Sequence, residues 1–263
     1  MTKFDSLPPQ APDQSRGLGG SLWGLARSYL MYYGLPWRGP RLRRFYRPFV
    51  QPGDLCFDVG AHVGNRTQAL LDLGARVVAL EPQPAYASFL RRKCAQRAAA
   101  TVIEAALGAK EGQAGMWISR RTPTVSSLSS TWLEQVADQP AFEGVNWDRY
   151  QPVAVTTLDS LIEEWGEPVF CKIDAEGSEY DILLGLSRPL RSLSFEIIPQ
   201  TLSLARDCIG RLQQLADYEY NWIVGEGTRF QIPAWVNAEE MWSRLKNLDR
   251  GARPGDVYAR RQS

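Results

Sequence analysis

The chain has 263 residues, is 44% hydrophobic and carries a formal net charge of +1. That length suits one α/β domain with additions better than two full domains, and the near balance of charge gives no global reason to expect a nucleic-acid partner. No run reaches the ~18 apolar residues of a membrane span. The best approach, residues 22–35, is broken by Arg27, Ser28 and two glycines, so a soluble, cytoplasmic protein is expected.

In chain order, residues 1–15 have no apolar stretch and read as a disordered leader. Residues 16–52 are basic and aromatic and predict a helical lid. Between Asp13 and Asp54 there is no acidic residue but there are seven arginines, Arg16, Arg27, Arg38, Arg41, Arg43, Arg44 and Arg47, with tryptophans, tyrosines and phenylalanines interleaved. Two readings stay open: a lid with solvated arginines, or a platform for an anionic or lipid-linked acceptor or a membrane surface. Residues 53–263 read as one domain. Residues 54–59 (DLCFDV) are a short apolar run, as buried parallel strands are. Residues 65–73 look helical, with Gly74 as a stop. Residues 76–80 (RVVAL) form a second strand. Pro84 opens a helix with Tyr86, Phe89, Leu90 and Cys94 on one face. Residues 101–106 give a third strand, residues 116–119 an edge strand and residues 126–130 a serine-rich loop. Residues 157–165 predict a helix with a Thr-x-x-Ser start. Residues 169–173 (VFCKI) are a fourth strand, and a helix with Tyr180, Leu183 and Leu184 on one face follows. Residues 193–198, 220–224 and 256–259 read as further strands, with helices at 202–216 and 238–245. Repeated β-α-β units of this kind predict a doubly wound, mostly parallel sheet, with ligands beyond the carboxyl ends of its strands. Cys56, Cys94, Cys171 and Cys208 form no CxxC pair and read as buried free thiols, so no zinc site is expected.

The residues that carry chemistry lie at those strand ends. Asp58-Val59-Gly60-Ala61-His62-Val63-Gly64-Asn65 follows the first strand. Gly60 permits a tight turn, and Gly64 is expected to let a ligand approach the backbone. The spacing D-x-G-x-x-x-G lacks the third glycine with which a dinucleotide fold cradles pyrophosphate. It suits S-adenosylmethionine, which has no phosphate and carries a sulfonium. Glu81 ends the second strand, where a carboxylate can accept both ribose hydroxyls, and Pro82 shapes the turn. Glu104 and Ala105 end the third, where the adenine edge would lie. After the fourth strand, Asp174, Glu176 and Glu179 crowd one loop and would raise each other's proton affinity unless a cation or hydroxyl relieved them. First-turn helix charge accounts for Glu179 but fits Asp174 poorly. Glu196 is a carboxylate inside an apolar strand and needs a partner or a function.

The runs FDVGAHVGNRT, VVALEPQP, VIEAALGAKEG, VTTLDSLIEE, KIDAEGSEYDIL and FEI, in that order, resemble the FkbM-type methyltransferases over residues 53–199. KID-x-EG-x-E is the most specific element. The resemblance implies a Rossmann-like class I methyltransferase: a seven-stranded sheet with an antiparallel last strand, S-adenosylmethionine as donor, and hydroxyl groups of sugars, glycans or natural products as acceptors. It places Asp58, Gly60, His62, Gly64, Asn65, Glu81, Pro82, Glu104, Ala105 and Asp174 around the cofactor. Where the family often has asparagine this chain has His62, its one histidine. That ring could contact the cofactor carboxylate, act as a base, or hydrogen-bond its own loop. Asp174 and Glu176 are the leading candidates for base or acceptor binding, followed by Glu196 and His62. The acidic cluster permits Mg²⁺ without specifying it. Competing readings are a nicotinamide-dependent oxidoreductase and a non-catalytic partner subunit that binds S-adenosylmethionine.

Overall fold

The computed structural model describes residues 37–119, 122, 125–139, 142–249 and 251–262. The leader, together with the part of the lid that holds Arg16 and Arg27, lies outside the described residues.

A seven-stranded sheet forms the centre. It contains β1 (Leu55–Val59), β2 (Arg76–Leu80), β3 (Ala100–Ile103), β7 (Phe170–Ile173), β8 (Ser192–Ile197), β9 (Tyr218–Val224) and β10 (Gly255–Arg261). The order is β3-β2-β1-β7-β8-β10-β9, with the order reversing on either side of β1. The first five strands of that order run parallel, and β10 is antiparallel to both β8 and β9. This is the Rossmann-like arrangement with the last strand reversed.

Helices cover both faces, because alternate residues of each strand point to opposite sides. One face receives α1 (Arg38–Tyr46), α2 (Asn65–Asp72) and α3 (Pro84–Cys94). Leu42, Phe45, Tyr46, Leu70 and Leu90 pack there on Cys56, Val77, Phe170 and Tyr258. The other receives α5 (Leu158–Trp165), α6 (Glu179–Leu184), α7 (Leu202–Leu215) and α8 (Ala238–Leu245), with Phe57, Ile173, Phe195 and Val257 beneath them. Thr157 caps α5 by accepting from the Ser160 amide at 3.1 Å. All four cysteines are buried and free. No helix among the described residues is long and apolar enough to cross a membrane.

Three elements differ from the sequence reading. The third strand stops at Ile103, and Ala106–Leu107 becomes β4 of a second sheet, ordered β4-β6-β5 with β5 (Gly112–Ile118) and β6 (Arg149–Thr156). With α4 (Ser130–Ala137) this sheet forms a lobe inserted between β3 and α5; Trp117, Trp132, Leu133, Val136 and Phe142 make its core. Residues 116–118 are therefore the end of a seven-residue strand, with Ser119 just past it, and the serine-rich loop gives way to α4 at Ser130. In α6 the buried side is Glu179, Ile182 and Leu183, while Leu184 is exposed.

Candidate active site

The carboxyl ends of β1, β2, β7 and β8 meet the inserted lobe at a cleft of about 800 Å³, part of it open to solvent. Gly60, His62, Glu81, Pro82, Asp174, Glu176 and Glu196 line it from the main sheet; Ala105, Leu107, Met116, Ser126 and Leu128 line it from the lobe side; Glu226 closes it from the loop after β9. Among the described residues on its wall there is no lysine or arginine.

Backbone geometry explains the turn after β1. Gly60 has φ +75°, and a Cβ there would collide with the Asp174 carbonyl oxygen, so the loops after β1 and β7 touch through a glycine. Gly64 also has positive φ, but its free side is filled by the Leu90 side chain. The expectation that Gly64 leaves room for a ligand is corrected: its missing side chain lets α3 pack against the start of α2. Asn65 opens α2 and does not line the cleft. Asp58 lies beneath the cleft, 1% exposed, and accepts from the Thr67 hydroxyl. Burial raises its carboxyl, with the Thr67 bond pulling the other way. Glu104 is exposed, pairs with Arg91 at 2.8 Å and does not line the cleft, whereas Ala105 does.

Glu81 is 3% exposed. Its Oε2 accepts from the His62 amide and its Oε1 from the Gln83 amide, both at 2.9 Å. Each oxygen keeps a second acceptor site, so a vicinal diol can still be bound. Burial pushes this carboxyl up to about 7 against the pull of those two amides. The His62 ring stacks on Tyr86, with centroids 4.3 Å apart. Burial lowers its pKa to about 4, with Asp174 opposing, so the imidazole is neutral at neutral pH.

Asp174 continues β7 by donating its amide to the Val59 carbonyl, and its Oδ2 accepts from Lys172 Nζ at 2.9 Å. Glu176 has φ +49° and Gly177 has φ +96°, a left-handed pair that turns the chain sharply. Glu179 holds this turn from α6: its carboxylate accepts from the Ala175 and Gly177 amides at 2.9 and 3.0 Å. The lobe holds it too, because the Ser127 hydroxyl donates to the Glu176 carbonyl at 2.6 Å. Oxygens of Asp174, Glu176 and Glu196 all lie within 4.8 Å of one another. Burial first, then Asp174 and Glu179, hold the Glu176 carboxyl well above the usual range; burial, then Glu176 and Asp174, do the same for Glu196.

Sequence reasoning missed three charged participants. Glu226 reaches the cleft from the loop after β9, and buried Arg66 lies 2.8 Å from its Oε2. Asp256 of β10 sits between Arg66 and Lys172. An aspartate inside the apolar run DVYA was a usable signal, of the same kind as Glu196.

A family model described as the methyltransferase FkbM domain matches residues 58–249 of the chain. No curated protein matches it. Among solved structures, it is similar to an O-methyltransferase from Bacillus cereus in complex with SAH, with 15% identity, TM-score 0.48, and coverage of 98% of this chain and 94% of that one. A TehB-like SAM-dependent methyltransferase from Corynebacterium glutamicum gives 11% identity and TM-score 0.47, covering 92% and 98%. A precorrin-6y C5,15-methyltransferase from Geobacter metallireducens gives 15% identity and TM-score 0.44, covering 86% and 87%.

Proposed function

This chain belongs to the FkbM methyltransferase family, and from that premise we propose that it moves the methyl group of S-adenosylmethionine to a hydroxyl oxygen of a sugar, glycan or natural-product acceptor. The observation that carries the reading is the chemistry of the cleft wall, where carboxylates stand at four strand ends and no described lysine or arginine is among the lining residues. Such a wall suits a sulfonium and a ribose diol and repels a pyrophosphate, which argues against a nicotinamide dinucleotide. Glu81, with one acceptor site left on each oxygen, would hold the ribose. The turn at Gly60 and the carboxylate of Asp174 would hold the donor's amino-acid end. When bound, the donor supplies an electrophilic methyl carbon on positive sulfur. The buried free cysteines support a cytoplasmic setting.

The chain's own residues then orient the acceptor and remove its proton. Alignment of acceptor and methyl can contribute up to ~7–11 kcal/mol in ideal models. Glu176 and Glu196, held well above the usual carboxylate range, are better bases for an alcohol than an ordinary surface carboxylate. His62, neutral and stacked on Tyr86, shapes the wall beside Glu81. The test is transfer of labelled methyl to a panel of hydroxyl-bearing saccharides and polyketide-type alcohols. Glu176→Gln and Glu196→Gln should each lower kcat by about 10²–10⁴-fold while calorimetry shows S-adenosylmethionine still binding. Calorimetric binding of NAD without S-adenosylmethionine would overturn the reading; donor binding without transfer to any acceptor would favour a partner subunit. The same three oxygens are close enough to share a hard divalent cation. Activity lost to a chelator and restored by Mg²⁺ would assign them that role.

A further inference from the structure

Behind the cleft wall runs a line of alternating charge. Lys172 on β7 is 1% exposed. Its Nζ is 2.9 Å from Asp174 Oδ2 and 3.0 Å from Asp256 Oδ1. The other Asp256 oxygen is 3.6 Å from Arg66 of α2, and Arg66 reaches Glu226. The sequence in space is Asp174, Lys172, Asp256, Arg66, Glu226. Its two ends line the cleft; its three middle members do not.

Burying two cations and an aspartate is costly, and an apolar replacement of similar volume is often as stable or more so. Burial pulls the Lys172 ammonium down, but Asp174 and then Asp256 outweigh it and keep the ammonium protonated. What the arrangement gains is direction: Lys172 can only donate, so it fixes which way Asp174 points, and Asp256 takes up part of its charge.

We propose that Lys172, Asp256 and Arg66 are positioning residues that hold Asp174 and Glu226 as two aimed cleft carboxylates, with Asp256 shielding the donor's sulfonium from the two buried cations. This rests on the reading of the cleft as an S-adenosylmethionine site. Asp256 is the informative member, because it does not line the cleft. Removing its charge leaves Lys172 and Arg66 less compensated behind the wall. That opposes the cationic donor and leaves the neutral thioether product nearly unaffected.

The experiment measures affinity by calorimetry for S-adenosylmethionine and for S-adenosylhomocysteine, on the full chain, with melting temperature recorded alongside. Asp256→Asn should lower the ratio of donor to product affinity by about three- to tenfold, the effect of one unit charge at roughly 12 Å or more in a medium of effective dielectric ~20. Glu226→Gln, at the exposed end where folding is least at risk, should move the ratio in the same direction, and Asp256→Glu should restore it. Equal weakening of both ligands, or an unchanged ratio in folded variants, overturns the proposal and leaves the charges a structural role. A wild-type protein that binds neither ligand overturns the donor reading and this proposal with it; one that binds both, with variant ratios unchanged, overturns this proposal alone.

Discussion

Glu81 is a buried carboxyl through which pH acts on the stability of the fold. Its folded pKa is raised to about 7 from 4.5, and Glu179 behaves alike. An acid raised in this way contributes stability that is complete below the unfolded value and is lost as pH rises through about 7. His62, lowered to about 4, works in the opposite sense, contributing above its unfolded value and losing that contribution as pH falls through about 4. The ligand-free protein should therefore melt at a lower temperature at about pH 8 than at about pH 6, with Glu81→Gln reducing the difference. A ribose diol wants the ionised form of Glu81, so donor affinity should rise over the same interval with release of a proton. Glu81→Gln should remove that dependence and cost ~1.5–3 kcal/mol of binding. Calorimetry in buffers of different ionisation enthalpy checks both; donor affinity flat with pH in the wild type would separate Glu81 from the ribose. Glu81, Asp174, Glu176 and Glu196 were legible because each is an acid at the end of an apolar strand. Arg66 and Glu226 were not, since nothing in their local sequence tells which strand will bring Asp256 between Arg66 and Lys172.

At the scale of elements, the acidic turn is clamped from two sides. Glu179 ties it to α6, and Ser127 and Trp132 press on it from the lobe. Gly177 combines φ +96° with a position where a Cβ would run into Trp132. Gly177→Ala should thus lower stability by about 1–3 kcal/mol, as residues forced into sparse backbone regions do, and should lower turnover as well. Thermal unfolding and the labelled-methyl assay check this; a full-activity, full-stability variant would show the turn to be pliable. Helix α1 makes a contrast. Phe45 and Tyr46 sit in the core against Phe170 and Tyr258, while Arg41, Arg44 and Arg47 are exposed, and none of these arginines lines the cleft. Phe45→Ala should cost about 3 kcal/mol or more, whereas replacing Arg41, Arg44 and Arg47 by glutamine should leave the melting temperature almost unchanged. If instead those arginines draw in an anionic acceptor, its KM rises in the triple variant and becomes less sensitive to salt. The main sheet was readable from apolar runs ending at glycine or acid. The second sheet was not: β6 is half exposed and carries Pro152, which demotes a strand on sequence grounds, and it finds its partner β5 more than thirty residues earlier. Pro152 is tolerated because β4 pairs only with Val155 and Thr156.

For the molecule as a whole, the cleft belongs to two bodies of structure, the seven-stranded sheet and the inserted lobe, which meet at the acidic turn and in the packing of Leu107 and Ile198. A ligand that bridges them should slow amide exchange in residues 125–137 and 174–178 together. Protection confined to the strand ends of the main sheet would show that the donor binds without engaging the lobe.

The position of β10 has a consequence for biosynthesis. It is the last strand of the sheet in sequence, yet it lies between β8 and β9. During translation, β9 emerges before the strand that must separate it from β8, so those neighbours have to stay apart, or part again, until residues 255–261 leave the ribosome. Until then Lys172 and Arg66 lack the aspartate they share. A nascent chain lacking that strand would hold two poorly compensated cations beside the cleft, so the electrostatics of the cleft are completed only once residues 255–261 have joined the sheet.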